Sequence, residues 1–258
     1  MGLQRRVALV TGGGRGIGRA IALALGRAGG RVAVAARTRE EIETVAADVS
    51  RAGAEALALP CDATKREEVE RTVASVRDRF GSLDVLVNNA GTAESAPLAK
   101  TDEAMWNRLL ATNLTSTYLF TRAALGGMVE RGWGRVINVA SSAGKVGGAY
   151  ISAYSAAKHG VLGFTRSVAL EVAGKGVTVN AICPGYVNTS LTDRSIRNIA
   201  ARTGMSEAAA RERLEATNPQ KRFVEPEEVA ALALFLCAEE AAGLSGQAIN
   251  LDGGGRTG

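Results

Sequence analysis

The stretch that most limits what this chain can become is a glycine-rich octapeptide, Thr11-Gly12-Gly13-Gly14-Arg15-Gly16-Ile17-Gly18. It stands between a strand-like run and a helical repeat. Arg6 to Val10 has the apolar, β-branched character of a short buried strand. Beyond the turn, Ile17, Ala20, Ile21, Ala24, Leu25 and Ala28 recur at helical spacing until Gly29-Gly30 ends the pattern. Such a turn brings bare backbone N–H groups and the positive end of a helix dipole to one point, which suits a pyrophosphate. The glycines at 12, 16 and 18 do not spell G-x-G-x-x-G, and no Gly-Lys-Ser/Thr follows, so the commonest dinucleotide fingerprint and the P-loop are both absent. A tight turn without a ligand is the plain alternative; the strand-turn-helix context favours a phosphate site.

The alternation continues along the chain. Strand-like runs at Arg31 to Ala36, Glu55 to Leu59, Asp84 to Val87, Arg135 to Ala140, Val177 to Cys183 and Gln247 to Leu251 alternate with helical patterns. Thr38 reads as an N-cap, with Glu41 three residues on to complete a capping box for a helix reaching about Arg51. Lys65 to Phe80 is amphipathic. A long helix runs from Asp102 toward Val129 and breaks at Gly132 to Gly134; another spans Ile151 to Ala173. Ser190 to Phe223 is charged and irregularly helical, and Pro226 opens a helix through Cys237. Short, continuously apolar strands between helices predict an α/β fold: a doubly wound parallel sheet of about seven strands, with helices on both faces. The chain has 258 residues, 46% of them hydrophobic, with no linker, repeat or low-complexity run, which predicts a single domain over 1–258.

Charge and cysteines narrow the function. Lys plus Arg exceed Asp plus Glu by 31 to 26, and the excess is spread rather than striped, which argues against nucleic acid. Three separated cysteines (Cys61, Cys183, Cys237), no C-x-x-C and one histidine, His159, argue against a disulfide framework or a metal site and suit a reducing cytoplasm. His159 lacks an acidic partner in sequence and reads as structural; Cys183 reads as a buried hydrophobe. The apolar run after Arg5 and Arg6 is too short for a targeting segment, and nothing is long enough to span a bilayer. Gly2 follows Met1, but Arg6 stands where a myristoylation signal wants Ser or Thr.

The end of the second strand bears on the cofactor. NAD sites place a carboxylate there for the ribose 2′-hydroxyl; this chain has Ala36 and Arg37. A guanidinium would instead take a 2′-phosphate, and Arg15 could add a second cation, so the sequence favours NADP(H). The alternative is that Arg37 is a solvated loop residue. Farther on, Tyr154 and Lys158 lie one helical turn apart, and Ser141 stands thirteen residues before Tyr154, at a strand end. A hydroxyl, a phenol and an ammonium can converge there on a carbonyl. Ser142 rivals Ser141, whereas Tyr150 has no Lys four residues later.

TGGGRGIG, then Asn88-Asn89-Ala90-Gly91 after the fourth strand, then Ser141 with Tyr154-x-x-x-Lys158: in this order the motifs resemble the short-chain dehydrogenase/reductase family, across essentially the whole chain. The likeness is greatest to the branch with 3-oxoacyl-(acyl-carrier-protein) reductases, polyketide ketoreductases and 3-hydroxybutyrate dehydrogenases. It implies a Rossmann-type sheet and a homotetramer. It implies catalytic roles for Asn113, Ser141, Tyr154 and Lys158. Tyr154 would donate a proton, Lys158 would lower its pKa and hold the nicotinamide ribose, Ser141 would hold the carbonyl oxygen, and Asn113 would place a water. It implies cofactor contacts at Gly12, Arg15, Gly16, Ile17 and Gly18 of the turn, with Arg37 beyond it. Others follow at Asp62 (adenine), Asn89, Ala90 and Gly91 (ribose), Tyr154 and Lys158, and Pro184, Gly185, Val187 and Thr189 (over the nicotinamide). The segment 188–223 would close over the substrate. Its arginines could favour a carrier-bound or CoA-bound acyl group, or simply face solvent. The expected activity is reduction of a ketone or 3-oxoacyl thioester with NADPH. The alternatives are NAD-linked oxidation of a 3-hydroxy acid and a non-catalytic cofactor-binding regulator.

Overall fold

A computed structural model describes residues 3–255; Gly2, with the lipidation question raised on it, and the last three residues of the tail lie outside them. The strands are β1 (Val7–Thr11), β2 (Arg31–Ala36), β3 (Ala56–Pro60), β4 (Val85–Asn88), β5 (Gly134–Val139), β6 (Val177–Pro184) and β7 (Ala248–Leu251). They pair in the order β3-β2-β1-β4-β5-β6-β7, and every pair is parallel. The principal helices are α1 (Gly16–Arg27), α2 (Arg39–Arg51), α3 (Arg66–Phe80), α4 (Glu103–Leu110), α5 (Ser116–Glu130), α6 (Ser152–Val172), α7 (Ser190–Thr203), α8 (Glu207–Glu215) and α9 (Pro226–Cys237).

Strand side chains alternate between two apolar layers, as a pleated sheet requires. Ala8, Val10, Val32, Val34, Val85 and Val87 pack with Ile21 and Leu25 of α1, Val45 of α2 and Val229 of α9. Val7, Leu9, Ala33, Leu86 and Val179 face the other way, onto Val73 of α3, Phe120 of α5 and Val168 of α6. Both faces are thus covered, and the doubly wound reading holds. The chain leaves β1 toward β2 and β3, then returns to the far side of β1 as β4. The strand order reverses there, and the C-terminal ends of β1 and β4 border a crevice.

Three local expectations change. The strands that were to end at Val10 and Val87 run on to Thr11 and Asn88, because the ladder pairs Thr11 with Ala35 and Asn88 with Asn138. The long helix from Asp102 is interrupted: α4 and α5 are joined by a π-helical segment, Ala111–Thr115. The capping box at Thr38 does not form. No side chain caps α2, and the Glu41 carboxylate instead accepts from Arg15 Nη1 at 3.1 Å. A capping box forms instead at α9, where it was not expected: Glu225 and Glu228 cap the helix reciprocally, with Pro226 in its first turn as expected.

Within the 188–223 stretch, Ile196, Ala210, Leu214 and Phe223 make a small apolar cluster of their own. A bridge from Val187 to Val224 closes its base. Among the described residues no helix is long and apolar enough to cross a membrane, and no cluster of metal-ligating side chains occurs. Cys61, Cys183 and Cys237 are free and buried.

Candidate active site

The Gly-rich turn leaves β1 with Gly12 at φ +61°, and α1 begins with Gly16 at φ +52°, two conformations that side chains rarely adopt. A Cβ on Gly12 would stand 2.8 Å from Ala90 Cα, so the turn lies directly against the chain leaving β4. Thr11 and Asn89 fasten the two together. Thr11 Oγ1 accepts from the backbone N–H of Asn89 and of Ala90, each at 3.0 Å. The Asn89 amide donates to Thr11 O and Gly12 O, also at 3.0 Å. No side chain caps α1 at Arg15, so its first N–H groups are left for another partner.

Above the turn lies a cleft of about 210 Å³. Gly12, Arg15, Gly16, Ile17, Arg37, Asp62, Asn89, Ala90, Gly91 and Thr189 line it, all of them expected from the sequence. Gly18 does not. It is buried beneath the turn, where a Cβ would meet Gly12 O at 2.4 Å, so it serves close packing rather than ligand contact. Pro184, Gly185 and Val187 are not on the cleft wall either; they end β6 and lead to Thr189, whose Cγ2 lies 3.1 Å from the Cβ position of Gly16. Thr38, Glu41, Thr64, Thr112, Ser190 and Arg194 also line the cleft and were not expected as cofactor contacts. Burial tends to raise the Asp62 carboxyl, but the Thr64 N–H and hydroxyl, with the Arg37 charge, hold it below the usual range.

Asn113, Ser141, Tyr154 and Lys158 do not line the cleft themselves; Gly91, on its wall, lies next to two of them. A Cβ there would lie 2.8 Å from Asn113 Oδ1 and 3.8 Å from Lys158 Nζ. Ser141 follows β5 in extended conformation, and its hydroxyl accepts from Ala143 N at 3.1 Å. It also hydrogen-bonds the Tyr154 side chain. Ser142 shows no comparable bond to Tyr154. Tyr154 is half-buried on the first turns of α6, and Lys158 is buried one turn later. Lys158 Nζ donates to Val139 O at 2.9 Å and lies 5.8 Å from the Tyr154 ring centre.

Burial dominates the electrostatics of the Tyr154 and Lys158 side chains. Burial pushes Tyr154 up, the Ser141 bond only partly offsets this, and the nearby Tyr186 adds to the rise. Lys158, turned toward a neutral carbonyl, is itself lowered by burial to about 8. A dry wall disfavours charge on both groups.

Asn113 sits on the π-helical segment and is 1% exposed. Its amide donates to Thr92 O at 3.0 Å and Leu109 O at 2.9 Å, and Oδ1 accepts from Thr92 N at 3.2 Å. Its side chain is therefore committed to holding the chain after β4 against α4. The amide has no donor left for the expected water, whereas Oδ1, accepting one bond, keeps a second lone pair for it. Beneath the site, Asn88 donates to Thr121 and Asn138, and Asn138 donates to Thr165, a buried polar chain that ties β4 and β5 to α5 and α6. Only the pairing of two asparagines on neighbouring strand ends could have signalled it. His159 bonds Ser155 of its own helix and takes no part.

Residues 6–200 match the family model described as short chain dehydrogenase. A D-beta-hydroxybutyrate dehydrogenase of Rhizobium meliloti is 42% identical, over 96% of this chain and 98% of its own length. A 3-oxoacyl-(acyl-carrier-protein) reductase of Vibrio cholerae is 38% identical, over 98% of both. Among solved structures, a variant of actinorhodin polyketide ketoreductase with NADPH superimposes with a TM-score of 0.94 at 42% identity, over 96% of each chain.

Proposed function

The chain belongs to the short-chain dehydrogenase family, and from that premise we propose that it reduces a ketone or 3-oxoacyl thioester to the secondary alcohol with NADPH. The observation that carries the reading is the bonded Ser141–Tyr154 pair, with Lys158 beside that phenol and, like Asn113, next to Gly91 on the wall of a glycine-lined cleft. The cleft fits a dinucleotide. Its floor at Gly12 and Gly16 is bare backbone in conformations a side chain would strain, and the uncapped start of α1 suits a pyrophosphate. Arg15 and Arg37 on the wall, with no carboxylate at positions 36 and 37, suit a 2′-phosphate. When bound, the dinucleotide supplies the hydride.

The chain's own groups handle the proton. Tyr154 remains a neutral phenol through physiological pH, because burial holds its pKa up, and so serves as proton donor to the substrate oxygen. Ser141, already bonded to that phenol, offers its hydroxyl to the same oxygen as negative charge develops there. Lys158 spans from Val139 O toward Tyr154 and Gly91, from where its ammonium can hold a ribose hydroxyl and favour the phenolate left after transfer. Asn113 fixes the Gly91–Thr92 wall against which these groups are set.

The segment 188–223 is the substrate lid in this reading. Arg202 already reaches from α7 to Ser95 O at 2.9 Å, across to the loop after β4. The assembly is a homotetramer built on α5 and α6, which leave Tyr118 and Leu170 exposed. Buried free thiols fit a cytoplasmic setting. A second reading, NAD-linked oxidation of a 3-hydroxy acid, is favoured by the 42% identical hydroxybutyrate dehydrogenase; Arg37, where NAD sites hold an acid, weighs against it. A panel of ketones, 3-oxoacyl esters and 3-hydroxy acids, each with NADP and NAD forms and followed at the reduced-cofactor absorbance, separates the two. No turnover with any member would overturn the enzymatic reading.

A further inference from the structure

We propose that Glu41 sets how strongly the cleft prefers a dinucleotide bearing a 2′-phosphate, by contesting Arg15 with that phosphate. This rests on the reading of the cleft as the dinucleotide site. A Cβ on Gly14 would stand 2.9 Å from Glu41 Cβ and 3.0 Å from its Oε2, so the carboxylate leans over the Gly-rich turn itself. Its other oxygen accepts from Arg15 Nη1 at 3.1 Å, and both side chains line the cleft beside Arg37 and Thr38.

The carboxylate has a local alternative that it forgoes. Three residues into α2 from Thr38, it could turn back to the Thr38 N–H and complete a capping box; α2 has no side-chain cap at all. A residue that gives up a local stabilising contact to face a ligand cleft breaks a rule of the kind broken at functional sites. The charges nearby are balanced. Glu41 pairs with Arg15, and Asp62 feels the Arg37 charge while Thr64 holds its carboxylate. A 2′-phosphate entering this corner finds two guanidinium groups, one already in a bond to Glu41. The Arg15–Glu41 pair is exposed at 58% and 34%, so it is weak and exchangeable. A phosphate carries more charge and more acceptors than a carboxylate and can take Arg15, but only by displacing the bond that Arg15 makes to Glu41.

The test measures dissociation constants for NADPH and NADH by reduced-nicotinamide fluorescence in the wild type, Glu41→Gln, Arg15→Ala and the double variant. Glu41→Gln is expected to raise the NADH-to-NADPH ratio of dissociation constants up to about fivefold, the most that releasing Arg15 from an exposed ion pair is worth. Glu41→Ala should move it the same way, so misfolding of one variant does not decide the matter. In the Arg15→Ala background the gain should shrink to within about twofold, because nothing is left to contest. An unchanged or lower ratio in Glu41→Gln overturns the inference, and so does an undiminished gain without Arg15. If the wild type binds neither dinucleotide, the proposed function fails and takes this inference with it. If it binds NADPH and the ratio ignores Glu41, only the inference fails.

Discussion

Lys158 works against the fold that holds it, and the size of that opposition can be measured. Burial lowers its pKa from 10.5 to about 8. Between these values the unfolded chain binds more protons than the folded one, so this site's contribution to stability rises with pH from about 8 to 10.5. Below about 8 the full penalty is present, about 3 kcal/mol. Replacing Lys158 by Met removes the penalty but strands Val139 O, which Nζ now satisfies at 2.9 Å, at a cost of about 1–2 kcal/mol. Lys158→Met should therefore be more stable than wild type by about 1–2 kcal/mol at pH 7. That advantage should vanish or reverse by about pH 10. Urea unfolding at pH 7, 8.5 and 10, compared between the two proteins, isolates the term, because the other titrating groups are common to both. A stability difference that does not move with pH would refute the claim that Lys158 is held charged against a dry wall. Such a variant gaining stability while losing turnover would show a site kept at the expense of the fold.

Asn113→Ala removes the partners of Thr92 N, Thr92 O and Leu109 O, and should destabilise the protein by about 3 kcal/mol in denaturant titration; full stability with lost turnover would instead make it a residue of the chemistry alone. Tyr154→Phe should leave NADPH titration intact while turnover drops about 10²–10⁴-fold; near-normal turnover would remove the phenol from the mechanism. Because Tyr154 is raised above its usual value, alcohol oxidation, which needs the phenolate, should accelerate with pH through the alkaline range, whereas carbonyl reduction should hold through neutral pH; an oxidation optimum at or below pH 7 in initial-rate profiles would contradict this. Arg37→Ala should weaken NADPH more than NADH, by about 1–2 kcal/mol in fluorescence titration, as for one charge-assisted phosphate contact; an unchanged ratio would leave Arg37 a solvent-facing residue.

The sheet was legible because its strands are short and apolar throughout, a pattern that suits only a strand covered on both faces. The Gly-rich turn and the 141–154–158 spacing were legible because each is written within one or two consecutive elements. What sequence missed depends on distant partners. Thr38 and Glu41 have the spacing of a capping box, and nothing nearby reveals that Arg15, 26 residues away, would take the carboxylate. The π-helical segment at Asn113 adds about one residue to a turn, and in a helix that is apolar on more than one face such an offset leaves no clear mark in the pattern. Its purpose becomes visible once Thr92 is seen against it. The link from Lys158 to the phenol depends on distant groups in the same way. A lysine four residues away in sequence suggests a charge beside the phenol, but Val139 O, on a different element, takes the ammonium.

These misses cluster on one seam, which explains how the fold makes the site. In a doubly wound sheet the connections from β1 and β4 leave in opposite directions, so the crevice between them is opened by topology and has no ladder to hold its walls. Thr11 and Asn89 supply the missing tie with four bonds at 3.0 Å, on the turn side of the crevice. Asn113 supplies a second tie one residue beyond Gly91, through Thr92. Gly91 is left between the ties with no side chain, beside Asn113 Oδ1 and Lys158 Nζ. The bare wall is therefore pinned from both ends by side chains that never need to touch the substrate. Loosening either tie would move the cleft floor relative to the Ser141–Tyr154 pair, and hydride and proton transfer tolerate little of that displacement.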